Sequence, residues 1–131
     1  MRDWIRRWGP ALVVMALIFS ASATPGRELP KFGGWDVFLK KGGHMLGYAL
    51  LAVAYCHALN NGKGTKRFQF ITAVCLAILY AISDEFHQTF TPGRTASTVD
   101  VCIDTAGGSI GLTIWHLVRT RFGSQRKAAG S

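Results

Sequence analysis

Four apolar blocks separated by polar or basic connectors run along this chain. Residues 8–26 carry no charge, and 11–19 form an unbroken run of Ala, Leu, Val, Met, Ile and Phe. Further blocks follow at about 38–59, 67–89 and 98–118. A soluble four-helix protein alternates charged and apolar faces at the helical period. Here the stretches 11–19 and 71–82 contain no charged side chain at all. Apolar blocks of roughly 17–25 residues are the length that crosses a bilayer as a helix. The pattern therefore predicts an all-α integral membrane bundle of about four helices, at about 8–24, 38–59, 67–89 and 98–118. One domain over 1–123 is expected, followed by a disordered cationic tail over 124–131. Trp4 and Trp8 flank the first block as interface anchors. A basic start, a short apolar run and Ala21-Ser22-Ala23 also fit a cleavable signal peptide. Retention as a helix is the preferred reading, because four helices place both ends beside the basic connectors.

Those connectors set the expected orientation. Arg2, Arg6 and Arg7 precede the first block, Lys63, Lys66 and Arg67 lie between the second and third, and Arg119, Arg121, Arg126 and Lys127 follow the fourth. They account for ten of the fifteen Lys and Arg residues and most of the formal net charge of +8. Short cytoplasmic loops retain Lys and Arg, so both termini are expected inside, with the lipid bilayer and its anionic inner leaflet as partner. The clustering at block ends argues against nucleic acid as the target. Charged residues make up only 17% of the chain, against roughly 25% in soluble proteins. Cys56, Cys75 and Cys102 all lie inside apolar blocks with no CxxC spacing, which fits small core residues better than a disulfide framework or a zinc site.

The connectors differ in character. Residues 24–39 hold Pro25, Gly26, Pro30, Gly33 and Gly34, and Lys31-Phe32-Gly33-Gly34-Trp35 reads as an interfacial stretch outside the cell. Asn60-Asn61-Gly62-Lys63-Gly64 is a polar turn on the inner side. Thr91-Pro92-Gly93-Arg94 has the composition of a type II turn, with Pro fixing φ at its second position and Gly supplying positive φ at its third. Ser97 is a natural N-cap for the last helix, and Asp100 three residues on resembles the acidic half of a capping box. Gly43-xxx-Gly47 and Gly107-xxx-Gly111 offer close-packing faces.

Four of the seven acids, Asp84, Glu85, Asp100 and Asp104, sit in the hairpin between the third and fourth blocks. With alternating helix directions, His44, Asp84, Glu85, His87, Gln88, Arg94, Asp100 and Asp104 all come to one depth near the outer surface. Asp84, His87 and Gln88 share a stripe by spacing, as do Asp100 and Asp104. An acid at the centre of a membrane helix costs roughly 2.5–3.5 kcal/mol and is rarely left facing lipid. The expectation is an extracytoplasmic polar pocket. His44, Asp84, Glu85, His87, Arg94 and Asp100 are the candidates for acid–base or phosphate-gripping roles; Lys41, Tyr48, Gln88 and Asp104 are candidate ligand contacts. Simpler roles compete: Asp100 as a cap, Asp84 paired with Arg94 as a hairpin lock, His87 as a surface histidine. A divalent cation is a candidate occupant among Asp84, Glu85, His87, Asp100 and Asp104, since carboxylates suit Mg, Ca or Mn. No metal-ligand spacing identifies one.

The hairpin, read as Asp84-Glu85-x-His87-Gln88-x-Phe90-x-Pro92-Gly93-Arg94 followed by Ser97-x-x-Asp100-Val101-x-x-Asp104-x-x-Gly107 and Gly111, resembles the VanZ-like family of small bacterial membrane proteins, named after a teicoplanin-resistance protein. Lys41-x-x-His44-x-x-x-Tyr48 resembles the family's upstream signature. At Asp104 the family often has Asn. The resemblance covers about half the chain. It implies a multi-pass protein of the bacterial inner membrane acting in the cell envelope, with a link to glycopeptide or lipoglycopeptide resistance and a glycopeptide antibiotic or lipid-linked envelope precursor as partner. Two alternatives come from the residues themselves. One is a metal-assisted hydrolase or transferase acting on a lipid-linked phosphate, with Arg94 and His44 holding the phosphate and Glu85 or His87 as base. The other is a non-catalytic docking partner of another membrane protein. The glycine faces allow a dimer as readily as packing within one chain.

Overall fold

The computed structural model describes residues 1–28, 31, 33–60, 64–95 and 97–128, the last seven as backbone only. Four helices account for nearly all of it: α1 (Arg2–Ala23), α2 (Asp36–Leu59), α3 (Lys66–Gln88) and α4 (Thr98–Ala128). Short 3-10 turns at Gly26–Glu28 and Gly33–Trp35 join α1 to α2, and no strand occurs among the described residues. The expected all-α bundle is the observed fold. Pro30, Phe32 and the turn residues Asn61, Gly62 and Lys63 lie outside the described residues. α1 begins at Arg2, and α4 continues to Ala128, ten residues past the expected end at Val118. The cationic stretch expected to be a disordered tail is therefore helical through Ala128, while 129–131 lie outside the described residues.

α1, α3 and α4 are long and apolar enough to cross a membrane. α2 is less apolar, because His44, His57 and the glycines at 42, 43 and 47 interrupt its aliphatic run. The surface shows the same solvent preference. Leu12, Leu17, Leu50, Leu79, Ile82 and Ile114 are among the large apolar side chains pointing outward, whereas Ser22, Asp84, Glu85, Gln88 and Asp104 are buried. Apolar patches of this extent are not left in water by monomeric soluble proteins. An apolar outside around a polar inside is the arrangement that bilayer solvation favours. This is a membrane protein.

Packing rests on small residues. Ala52, Ala73, Ala77 and Ala81 are buried between helices, with Tyr48, Leu51 and Leu112 filling the remaining core. α4 approaches α2 through its glycines. A Cβ on Gly107 would strike the Met45 carbonyl, and one on Gly111 would lie 2.9 Å from Ala49 Cα. Gly107-xxx-Gly111 is thus a true close-packing face, as membrane helices use. The other expected pair divides: Gly47 faces Ile18 of α1, while Gly43 has open space around it. α2 and α3 pack together at the centre, α1 and α4 lie on opposite sides of that pair, and α1 and α4 do not touch among the described residues. Two tyrosines fasten α1, with Tyr80 Oη donating to the Met15 carbonyl at 2.7 Å and Tyr55 Oη approaching Met15 Sδ at 3.2 Å.

The directions alternate, so the C-terminal ends of α1 and α3 and the N-terminal ends of α2 and α4 meet. The Thr91–Arg94 turn has its closing hydrogen bond, Arg94 N–H to the Thr91 carbonyl at 3.1 Å. Gly93 takes φ +75°, the conformation its position requires. Gly26 N–H donates to the Pro92 carbonyl at 3.0 Å, which ties the α1–α2 linker onto that turn.

Candidate functional site

A cavity of about 250 Å³ opens where the four helix ends meet. α2 contributes Lys41 and His44, α3 contributes Glu85 and Gln88, the turn contributes Arg94, and α4 contributes Asp100 and Asp104. Seven of the ten candidate residues therefore line one space. Asp84 and Tyr48 sit behind it: both are buried, and the Tyr48 hydroxyl faces the Asp84 carboxylate.

His87 is elsewhere. Its ring packs on Phe19 of α1, centroids 4.6 Å apart, away from the cavity. At about 100° per residue, Glu85 and Gln88 fall on one side of Asp84 and His87 on the other. The stripe that spacing assigns to residues 84, 87 and 88 is split by the neighbours, with α4 taking one flank and α1 the other.

Each ionic group has a specific environment. Asp84 accepts from Ser22 Oγ at 2.7 Å and from Gln88 Nε2 at 3.3 Å. It does not lock the hairpin through Arg94. The Arg94 guanidinium instead donates to the Ala21 carbonyl at 2.6 Å and the Thr24 carbonyl at 3.4 Å. Those carbonyls end α1 and have no intrahelical partner, and a cation there also complements the helix dipole. Arg94 is thereby a fastener for α1, with only its remaining N–H groups able to meet a ligand.

The cap of α4 also differs from expectation. Ser97 Oγ accepts from Val99 N–H at 3.2 Å, as an N-cap should. The reciprocal acceptor for Ser97 N–H, however, is Glu85 Oε2 of α3 at 2.9 Å. The capping box closes across the hairpin, and Asp100 is released to pair with Lys41. Lys40 pairs with Asp36 one turn earlier, at 2.7 Å.

Asp104 stands apart. It is 1% exposed, and neither carboxylate oxygen has a hydrogen-bond partner among the described residues. His44 Nδ1 lies 4.0 Å from Oδ2. Buried carboxylates are normally satisfied, since an unmet one loses its hydration without return. A carboxylate with both oxygens open beside a histidine can accept from a hydroxyl or amine, or hold the imidazole as it takes or gives a proton. Lys41 and Arg94 bring the opposite polarity to the same cavity. No three His, Cys, Asp or Glu side chains converge at metal-binding distance among the described residues. Asp84, Glu85, His87, Asp100 and Asp104, the candidate cation ligands, form no such cluster among the described residues.

Sequence reasoning did not find Ser22. It is fully buried and bonds Asp84, yet Ala21-Ser22-Ala23 reads as a run of small residues or a cleavage site. A small polar residue ending a membrane helix at the depth of an acidic hairpin was the available signal.

Comparison with known proteins agrees with the motif. The VanZ/LLP1 family model matches residues 8–119. No curated protein and no solved structure matches the chain. Most of the sequence lies within the family match, and the chain belongs to the VanZ/LLP1 family.

Proposed function

We propose that this VanZ/LLP1-family protein is a multi-pass protein of the bacterial inner membrane, both termini cytoplasmic, whose cavity opens to the outer face and binds a polar envelope molecule. Supporting this orientation are the basic residues at the opposite end of the bundle, since short cytoplasmic segments retain Lys and Arg. The observation that carries the binding role is Asp104: a buried carboxylate, open at both oxygens, on a cavity that also presents Lys41, His44 and Arg94. Such a site suits a ligand with a hydroxyl or amine for Asp104 and an anionic group for the cations. Lipid-linked peptidoglycan precursors combine these features. By occupying or presenting such molecules, the protein changes how glycopeptide or lipoglycopeptide antibiotics meet them.

Drug-susceptibility testing examines this reading in a host expressing the wild type or Asp104→Leu. The wild type should shift the response to teicoplanin-type glycopeptides and the variant should not. An unmoved response with both proteins would remove the resistance role.

The separation of His44 and Asp104 supports a second reading, acid–base catalysis on a lipid-linked phosphate. Here His44 carries the proton, Asp104 holds its ring, and Glu85 stays with Ser97 as a structural acceptor rather than serving as base. Turnover surviving His44→Ala would contradict it. The docking alternative has less support, because the polar groups face inward to a cavity.

A further inference from the structure

The opposite end of the bundle carries a second, larger cleft of about 550 Å³ between α2, α3 and α4. Lys66, His116 and Arg119 line it, and so do Phe70, Leu112 and Trp115. No carboxylate among the described residues lines it. The acids of α3 and α4 all lie at the far end of those helices, and Asp3, at the near end, is on α1, which does not touch α4 among the described residues. The Arg119 guanidinium stacks over the Trp115 ring, 5.0 Å from its centroid. Neither Lys66 nor Arg119 forms an ion pair among the described residues.

The cleft is amphipathic along the bundle axis. Cations ring the mouth, where the apolar blocks of α3 and α4 end, and Leu112 is buried at the floor. The Trp8–Tyr55 ring pair at the same end and Trp115 mark the level of a membrane interface, where such residues collect. Basic pockets between membrane helices on the cytoplasmic side accommodate phosphate headgroups. Arginine grips phosphate through paired N–H groups, while lysine serves as a point charge.

We infer that this cleft binds a phosphate group, carried by the headgroup of an anionic phospholipid of the surrounding bilayer, whose chains run along the Phe70 and Trp115 walls. The site is separate from the Asp104 cavity and independent of its function.

The test is native mass spectrometry of the full-length protein released from vesicles of equimolar phosphatidylglycerol and phosphatidylcholine. The wild type should retain phosphatidylglycerol in preference. Lys66→Gln/Arg119→Gln should reduce that preference on the order of tenfold, whereas the charge-keeping Lys66→Arg/Arg119→Lys should retain most of it. Arg6→Gln/Arg7→Gln removes two charges from the same end outside the cleft and should leave the preference unchanged. Equal retention of the two lipids by the wild type, or equal losses in the two Gln double variants, overturns the proposal. Displacement of the lipid by millimolar inorganic phosphate would overturn the lipid as occupant and assign the cleft to soluble phosphate. All four altered side chains are exposed, so an unchanged unfolding midpoint is expected and verifies the fold of each variant.

Discussion

The Ser22 hydroxyl donates a 2.7 Å hydrogen bond to the Asp84 carboxylate, joining residues 62 positions apart. With Arg94 on the Ala21 and Thr24 carbonyls, it makes the end of α1 a wall of the polar region. Asp84 is 3% exposed, so losing this charge-assisted donor leaves the carboxylate under-satisfied. Ser22→Ala should lower stability by about 1–3 kcal/mol. Unfolding in a mixed-micelle denaturant series measures this, and an unchanged midpoint would show that the bond contributes nothing.

Glu85 accepts from Ser97 N–H across the hairpin. Glu85→Gln keeps an acceptor for that amide, while Glu85→Ala removes it and strands a helix N-terminus. The alanine variant should lose about 1–3 kcal/mol and the glutamine variant much less. Hydrogen exchange at the Ser97 amide reports the same distinction locally, with fast exchange only in Glu85→Ala. Equal behaviour of the two variants would refute the cross-hairpin cap.

Two glycines separate packing from helix propensity. Gly107→Ala places a methyl group against the Met45 backbone and should destabilise by about 1–3 kcal/mol. Gly43→Ala meets open space and should stabilise α2 by about 0.5–1 kcal/mol. Thermal unfolding of both variants in detergent tests the α2–α4 contact, which predicts shifts of opposite sign.

Much of this was legible in the chain and some was not, for identifiable reasons. The apolar blocks predict helices because bilayer-spanning length needs no tertiary context, and Pro92-Gly93 predicts its turn because φ is fixed by local chemistry. The gathering of Lys41, His44, Glu85, Arg94, Asp100 and Asp104 follows from alternating helix directions alone. Partner choice does not. Asp100 sits at the spacing of a capping box, yet Glu85 on another helix supplies the acceptor. His87 shares a nominal stripe with Asp84, yet packs against Phe19. Arg94 has the chemistry to hold phosphate, yet meets the unpaired carbonyls of α1. Each outcome depends on which helix flanks which side of α3, and helical periodicity carries no record of that. Ser22 was missed because its signal, a small polar residue at the depth of the acidic hairpin, is positional and leaves no periodic pattern among Ser20, Ala21 and Ala23.

Orientation has a direct check. A reporter that works only in the cytoplasm, fused after Gly130, should be active, and one that works only outside should be silent. The reverse result would place the Asp104 cavity on the inner face and the basic cleft outside.

Asp104 itself separates a structural role from a binding one. If its carboxylate serves the fold, Asp104→Leu destabilises. If it is held open for a ligand, removing an unsatisfied buried carboxylate raises stability by about 1–3 kcal/mol while binding is lost. Asp104→Asn, which keeps one acceptor, should retain part of the binding.

The most direct measurement uses the protein in lipid nanodiscs incubated with polyprenyl phosphates and lipid-linked precursors, with retained lipids read by mass spectrometry for the wild type and Asp104→Leu. The account predicts a species held by the wild type and lost from a variant that is folded and at least as stable. The same lipids retained by both proteins would contradict it.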